Sequence, residues 1–252
     1  MNSIDRSFQA PPEFLSSLQS ATHVAVLTGS GISAESSVPT FREAQTGLWS
    51  QYDPESLATP DAFRRDPELV WQWYRWRREL IGKAKPNPGH LSLVEMEALI
   101  RSISLITQNV DGLHELAGSS TIVELHGNIM RSRCTRDGRI IDEISDSSDN
   151  LPHCPDCGSL LRPDVVWFGE ALPQASIHEA LNAARTSDIF FSIGTSSIVQ
   201  PAASLALEAR AKGAIIVEIN IEDTPLTQFS DFVFRGTAGK VLPSLVNSVK
   251  RR

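Results

Sequence analysis

Gln108-Asn109-Val110-Asp111 and His126-Gly127 each stand directly behind a short apolar run, Ser102–Thr107 and Ile122–Leu125. In an open α/β sheet, ligands collect beyond the carboxyl ends of the strands. Two such ends put amides, a carboxylate and an imidazole around one crevice. Amides and a carboxylate suit the hydroxyls of a ribose or an amide ring substituent. A histidine is the usual proton acceptor near neutral pH. A lone histidine is commonly a satisfied structural group. At a strand end, with glycine behind it and a polar cluster on the next strand, His126 reads instead as a general base.

A second set of residues lies upstream. His23–Thr28 is a buried-strand candidate that runs straight into Gly29-Ser30-Gly31-Ile32-Ser33-Ala34. Strand, G-x-G-x-x-A and helix together favour a diphosphate: the glycines allow close backbone approach and the helix N-terminus attracts the anion. The ribose-binding acid that a dehydrogenase carries about 20 residues further on is missing. Pro39-Thr40-Phe41-Arg42 follows instead, and Glu43–Pro60 is broken by Gly47, Pro54 and Pro60. A long loop of this kind is more often a ligand lid than an inert connection.

A third set is Cys154-x-x-Cys157 with Cys134 upstream, inside a span, 128–163, too polar to build a core of its own. A small module stapled by zinc explains such a span. With no glutamate or water-activating arrangement nearby, that metal would be structural. Three cysteines fit a reduced compartment better than disulfides.

The elements that must position these groups alternate in type. Phe14, Leu15 and Leu18 suggest a short docking helix near the start. Strands are expected at His23–Thr28, Ser102–Thr107, Ile122–Leu125, Asp188–Ile193, Ala214–Ile219 and Asp231–Phe234. Helices are expected at Asp61–Ile81, His90–Ile100, His178–Thr186 and from Gln200-Pro201 through Lys212, with Gly213 as a stop. Polar residues sit at the strand ends, as in Gly194-Thr195-Ser196-Ser197 and Asn220. The pattern predicts an α/β fold, a Rossmann-like doubly wound, mostly parallel sheet with a smaller inserted helical and zinc-binding domain.

The helix Leu69–Leu80 carries an unusual mixture. Leu69, Trp73, Trp76 and Leu80 form one stripe, and Val70, Tyr74, Arg77 and Ile81 a second beside it. Arg77 therefore points where apolar residues point, while Arg75 and Arg78 are expected to face water. Arg77 either snorkels to solvent, grips nucleic acid together with the aromatics, or awaits an anionic substrate.

Composition narrows the class. With 252 residues, 41% hydrophobic and 21% charged, the chain is ordinary globular material with room for a sizeable core. A net charge of −7 argues against a general nucleic-acid binder. No apolar run approaches the ~20 residues that span a bilayer, and MNSIDRSFQAPPEF lacks the features of a secretory signal, so a cytoplasmic protein is expected.

Six blocks, GSGISAESSVPTFR (Gly29–Arg42), TQNVDGLH (Thr107–His114), ELHG (Glu124–Gly127), VVWFGE (Val165–Glu170), GTSS (Gly194–Ser197) and EIN (Glu218–Asn220), occur in an order that resembles the sirtuins. Those are NAD-dependent protein-lysine deacylases, and the likeness covers roughly residues 20–245. It implies a large NAD-binding domain from 1–41, 86–126 and 166–252, and a small domain from 42–85 and 127–165. It implies NAD contacts at Gly29, Ser30, Gly31, Ile32, Ser33, Phe41, Arg42, Trp49, Gln108, Asn109, Val110, Asp111, Gly194, Thr195, Ser196, Asn220 and Ala238. Phe41 falls near the nicotinamide, Arg42 near the phosphate and Ala238 near the adenine. Catalysis is implied at His126, with Asn109 and Asp111 holding the ribose and nicotinamide side. The acyl oxygen displaces nicotinamide, His126 takes a proton from a ribose hydroxyl, and water releases lysine and O-acyl-ADP-ribose.

The same resemblance lays an acyl-lysine protein as an extended strand against Val166, Phe168, Gly169 and Glu170. His90 is implied to be a structural position at a helix start. Where sirtuins present four cysteines as two C-x-x-C pairs, Cys134-Thr-Arg-Asp137 offers one thiol. Cys134, Cys154 and Cys157 then need a fourth zinc partner, either Asp137, His153 or water. Tyr74-Arg-Trp-Arg77 matches the Tyr-x-x-Arg pair of the subclass that removes succinyl and malonyl groups, and Ala44 matches the small residue that makes room for longer acyl chains. No nucleic acid or membrane partner is implied, and oligomeric state is not encoded in these motifs. Two further readings stay open, a mono-ADP-ribosyltransferase on the same site and a non-catalytic NAD or ADP-ribose sensor, the latter disfavoured by His126.

Overall fold

Apolar strands that alternate with one-sided helices predict a sheet covered on both faces. The computed structural model, which describes residues 10–38, 53–142 and 151–250, has that form. The chain opens with α1 (Pro12–Ser20), β1 (Val24–Thr28) and α2 (Ser30–Ser33). Next come α3 (Pro54–Leu57), α4 (Pro60–Arg65), α5 (Pro67–Ile81), α6 (Pro88–Leu99) and β2 (Ile103–Thr107). The middle holds α7 (Leu113–Ala117), β3 (Ile122–Glu124), β4 (Gly127–Cys134), β5 (Ile140–Ile141) and β6 (Leu161–Val165). The last third is α8 (Gln174–Thr186), β7 (Ile189–Ile193), α9 (Leu205–Ala211), β8 (Ile215–Asn220), β9 (Phe232–Arg235) and α10 (Ala238–Lys250).

The large sheet runs β3-β2-β1-β7-β8-β9, every pair parallel. Strand order reverses between β1 and β7, so the crevice for a ligand lies beyond Thr28 and Ile193. Strands buried on both faces read as continuous apolar runs, and β1 and β7 are buried at every residue. One face packs against α1, α6 and α10 through Phe14, Leu93, Met96, Val241 and Leu245. Phe14 is fully buried, and its ring meets Phe191, Phe232 and Phe234 at 4.9–6.1 Å. Such burial contributes about 2–3 kcal/mol. The other face packs on the alanine-rich sides of α8 and α9. Among the described residues no helix is long and apolar enough to cross a membrane.

A second sheet, β5-β4-β6, is antiparallel. It lies largely within the polar span 128–163, where no strand is expected from the sequence. The strand was hidden because β4 carries arginines where a strand usually carries apolar residues. Asp164 of β6, 1% exposed, binds Arg131 and Arg133 of β4 at 3.1 and 2.6 Å. A buried carboxylate is tolerable only when paired in this way. Ile129, Cys134 and Leu161 join α4 and α5 in a separate core with Phe63, Trp71, Trp73, Tyr74 and Trp167.

Four other expectations change in detail. One helix over Asp61–Ile81 becomes two, because Asp66 stops α4 and its carboxylate accepts from Leu69 N–H to cap α5, with Pro67 next. Pro54 and Pro60, read as breakers in Glu43–Pro60, are the first residues of α3 and α4. The helix expected from Gln200 to Lys212 is a 3₁₀ turn, Ala202–Ser204, followed by α9. Arg78 does not face water: its guanidinium donates to the carbonyls of Ile129 and Arg131 and to Ser132, fastening α5 to β4.

Candidate active site

The crevice is built by close contact between two turns. Gly31 N–H donates to the Gly194 carbonyl at 2.8 Å, and Gly194 N–H to the Ile219 carbonyl at 2.9 Å. A Cβ on Gly31 would stand 2.7 Å from Gly194 Cα, and one on Gly194 would stand 2.6 Å from Ile32 N. Glycine is required here by the approach of one turn to the other. Gln108 Nε2 donates to Thr195 Oγ1 at 3.0 Å, and Asn220 Nδ2 to the Thr195 carbonyl at 2.8 Å. The ends of β2, β7 and β8 are thereby laced around Thr195, beside the half-exposed to exposed Ser30 and Ser196. Asn220 Oδ1 also accepts from Ile221 N–H, so its amide is already partnered on both sides. Ala238 is 4% exposed, its side chain packed against Gly89 at the start of α6.

Ser33 at the end of α2 meets Asn109 and Asp111 of the loop between β2 and α7. Ser33 Oγ donates to Asp111 Oδ2 at 2.7 Å, and Asn109 Nδ2 lies 3.1 Å from both Ser33 Oγ and the Gly29 carbonyl. Asp111 Oδ1 accepts from Leu113 N–H. Asn109 keeps its amide oxygen, and the carboxylate is held rigid. Beneath lie two histidines to which the sequence reading gave no part in this network. His90 Nδ1 accepts from Asn87 N–H, completing the α6 cap, while Nε2 lies 3.4 Å from Ser33 Oγ. His114 stacks on His90 at 4.9 Å, and its Nε2 donates to Thr28 Oγ1, which passes its own proton to Thr107. His114 Nδ1 is buried without a partner among the described residues. Burial, then the neighbouring His90, pushes its pKa down to about 3. The spacing of Asp111 and His114, three residues apart into α7, was the available signal.

His126 lies where β3 gives way to β4, its carbonyl accepting from Val166 N–H at 2.9 Å. Its Nδ1 sits 2.8 Å from the Gln108 carbonyl. A carbonyl only accepts, so Nδ1 carries the proton and Nε2 the lone pair. Burial lowers its pKa, partly opposed by that hydrogen bond. The ring is therefore neutral near pH 7, with Nε2 unprotonated.

The α5 pair is buried. Tyr74 is 0% and Arg77 8% exposed. The Arg77 guanidinium lies over the Trp73 ring at 5.0 Å; burial pushes its pKa down, opposed by its neighbours Tyr74 and Asp111. Trp167 Nε1 donates to Tyr74 Oη at 2.9 Å. Of the segment expected to meet a peptide, Phe168 is 45% exposed and Gly169 has φ +84. Phe168 N–H is used by the Ala58 carbonyl and Glu170 N–H by the Trp167 carbonyl. The Glu170 carboxylate is taken by Arg162, at 2.5 and 2.8 Å, and by Trp167 N–H. The charge of Glu170 is thus spent within the chain.

Cys134, Cys154 and Cys157 place their sulfurs within 4.8 Å of one another. Cys134 and Cys157 are 3.6 Å apart, close to the ~3.8 Å edge of a zinc tetrathiolate with bonds of about 2.3 Å. The donor set therefore fits a structural zinc. Hydrogen bonds from Ser159 pull Cys157 down to about 7, toward the thiolate a metal needs. The two knuckles are twins. Gly138 N–H returns to the Cys134 carbonyl at 3.0 Å and Gly158 N–H to that of Cys154 at 2.9 Å, with φ +73 and +69. Asp137 stands in the first turn where Cys157 stands in the second. Its carboxylate is turned to Arg139, whose N–H donates at 3.0 Å, and is not among the three clustered sulfurs. His153 is exposed, its Nδ1 on the Leu151 carbonyl.

Phe41, Arg42, Ala44 and Trp49 lie outside the described residues.

Comparison with known proteins is consistent throughout. Residues 29–201 match the description of the Sir2 family. A relative from Pyrobaculum aerophilum, named NAD-dependent protein deacylase 2, is 52% identical over 93% of this chain and 94% of its own. One from Pyrococcus furiosus, named NAD-dependent protein deacylase, is 50% identical over 93% and 96%. A crystal structure of a SIR2 homolog–NAD complex shares 43% identity and a TM-score of 0.89, covering 96% of this chain and 95% of that one.

Proposed function

The chain belongs to the Sir2 family, and on that premise we propose that it is an NAD-dependent protein-lysine deacylase that prefers succinyl and malonyl groups over acetyl. The observation that carries the deacylase reading is the fixed tautomer of His126, whose Nε2 is left as a base. The observation that carries the acyl preference is Arg77, 8% exposed beside the phenol of Tyr74.

NAD, when bound, supplies an electrophilic ribose carbon with nicotinamide as leaving group. We place it over the Gly29–Ser33 turn, Gly194–Ser196 and Asn220. Phe41, Arg42 and Trp49 belong to the same set by their sequence match. Asn109, through its amide oxygen, and Asp111, held by Ser33 and Leu113, orient the nicotinamide side. His126 Nε2 takes the proton from a ribose hydroxyl, and the Gln108 carbonyl steadies the imidazolium that results. The acyl-lysine peptide lies along Val166, Phe168, Gly169 and Glu170, and its acyl chain runs past Ala44 toward α5. A carboxylate at the tip forms a bidentate pair with Arg77 and accepts from Tyr74. Charged hydrogen bonds of this kind contribute about 1.5–3 kcal/mol each, enough for ~10²-fold discrimination over acetyl.

We further read 42–85 and 127–165 as one small domain, supported by a core that draws Trp71 and Trp73 together with Ile129, Cys134 and Cys154. Asp137 is read as the fourth zinc partner, supported by its place in the twin turn.

A panel of acetyl-, succinyl- and malonyl-lysine peptides incubated with NAD and read by mass spectrometry tests the function. Loss of the acyl mass, fastest for succinyl or malonyl, is expected. A peptide that gains the mass of ADP-ribose would replace this reading with a transferase, and a fastest reaction on acetyl-lysine would remove the acyl preference.

A further inference from the structure

The bond between Trp167 and Tyr74 can run in one direction only. An indole nitrogen donates and has no lone pair to accept with, so the phenol oxygen is the acceptor. The phenolic proton is then committed elsewhere. A buried phenol free to rotate could turn its proton to either side of the ring. Trp167 Nε1–H occupies one side of the oxygen and turns the phenolic proton to the other.

The indole is itself held on several sides. The Arg162 guanidinium covers its face at 3.4 Å from the ring centroid, and Phe63 meets it at 5.3 Å. Arg162 is locked by two bonds to Glu170 and a third to the Val165 carbonyl at 2.8 Å. Trp167 N–H donates to Glu170 at 2.8 Å. Trp167 is 2% exposed, and its indole Nε1–H reaches the Tyr74 oxygen. The residue thus stands between the segment that carries the peptide backbone, Phe168 to Glu170, and the side chain that reads the acyl tip.

We propose that Trp167 is a positioning residue for acyl recognition: its indole N–H holds the Tyr74 oxygen as an acceptor, so that the Tyr74 proton is presented to the carboxylate of a succinyl or malonyl chain. The proposal rests on the reading of Tyr74 and Arg77 as the acyl-tip pair. It adds that peptide docking and tip recognition share one support. A phenol that already accepts a hydrogen bond is also a better donor, because linked hydrogen bonds polarise one another.

Trp167→Phe keeps an aromatic ring under Arg162 and deletes the N–H. With NAD saturating, KM for succinyl-lysine peptide is expected to rise roughly three- to tenfold, the worth of one neutral hydrogen bond, with kcat little changed. KM for acetyl-lysine peptide should rise far less, so the succinyl-to-acetyl ratio of kcat/KM falls. Tyr74→Phe should lower the same ratio. The double variant should lose no more than Tyr74→Phe alone, because the N–H then has nothing to hold. Equal losses on both acyl groups would assign Trp167 to packing and overturn the proposal, as would additive losses in the double variant.

The chain has five tryptophans, so its indole ¹⁵N–¹H spectrum is simple enough to follow. Trp167→Phe identifies the Trp167 signal, and Tyr74→Phe should shift it. Should Trp167→Phe fail to fold, succinyl-lysine peptide must still move the indole signals of wild type, by a shift that disappears in Tyr74→Phe; no such shift overturns the proposal. A wild type that prefers succinyl, with the preference intact in Trp167→Phe, sinks this proposal alone. A wild type with no such preference removes the reading it stands on as well.

Discussion

His126 Nδ1 stands 2.8 Å from the carbonyl oxygen of Gln108, and that single contact decides which nitrogen of the ring is free. His126→Ala should therefore still bind NAD, whose expected contacts lie on other turns, while deacylation falls by a factor of ~10² to 10⁴. Calorimetric titration with NAD and a mass-spectrometric rate measurement check the two halves. Turnover within about threefold of wild type would remove His126 as the base. The depressed pKa sets the pH profile as well: the acid limb of kcat/KM should fall below the ordinary histidine value of about 6.5, not at or above it.

His114 makes a prediction about stability. Its folded pKa is about 3, against about 6.5 in an unfolded chain. Between those values the unfolded state binds a proton that the folded state refuses. Stability should thus be full above about pH 6.5 and decline as the pH falls, by up to ~1.4 kcal/mol per unit from this residue. Buried His90, also depressed, adds to the trend. Urea midpoints at pH 7.5, 6 and 5 should fall in that order. His114→Gln keeps a donor for Thr28 and should flatten the slope by about one proton. An unchanged slope would mean that His114 titrates in the fold as freely as in the unfolded chain.

For Arg77, the expected outcome of Arg77→Met is a large rise in KM for succinyl-lysine, on the order of 10-fold to 10²-fold, with acetyl-lysine affected much less. Steady-state kinetics on the two peptides decides it. If both substrates are unchanged, Arg77 is a structural cation stacked on Trp73 and nothing more.

Asp137 separates two versions of the metal site. Protein purified without chelator should carry about one zinc per chain. Asp137→Ala should lose it faster to a chelator than wild type, and Asp137→Cys should hold it longer, since a fourth thiolate completes the second knuckle's pattern in the first. Chelator-competition kinetics with a zinc indicator give the ranking. Identical release from wild type and Asp137→Ala would leave the fourth position to water or His153.

The backbone of this architecture was legible in the sequence because its parallel strands are buried on both faces. Runs such as Val24–Thr28 and Ile189–Ile193 have no polar residue that must look outward, and polar residues mark their ends. Gln108, Asn109 and His126 could be placed for the same reason. The antiparallel sheet was not legible. Arg131 and Arg133 look like loop residues until Asp164, thirty-odd positions away, supplies their partner. Arg78 was misread for a similar reason: the carbonyls of Ile129 and Arg131 that hold it belong to that unseen strand. Tyr74 and Arg77 share a helix face by spacing alone, but Trp167 enters from ninety residues downstream, where no local pattern could reveal it.

Tyr74, Trp73 and Trp167 belong to a hydrophobic core of their own, while the turns expected to hold the cofactor hang from the large sheet and its two faces. This division has an evolutionary consequence. On the proposed reading, substitutions on α5 would retune which acyl group is accepted, and most of their energetic cost would stay inside the smaller core. The strand ends that would perform the chemistry are anchored mainly in the large sheet and meet the smaller core through Val110. Such a scaffold lets substrate range diversify by drift, one helix face at a time, without each new specificity having to rediscover the reaction.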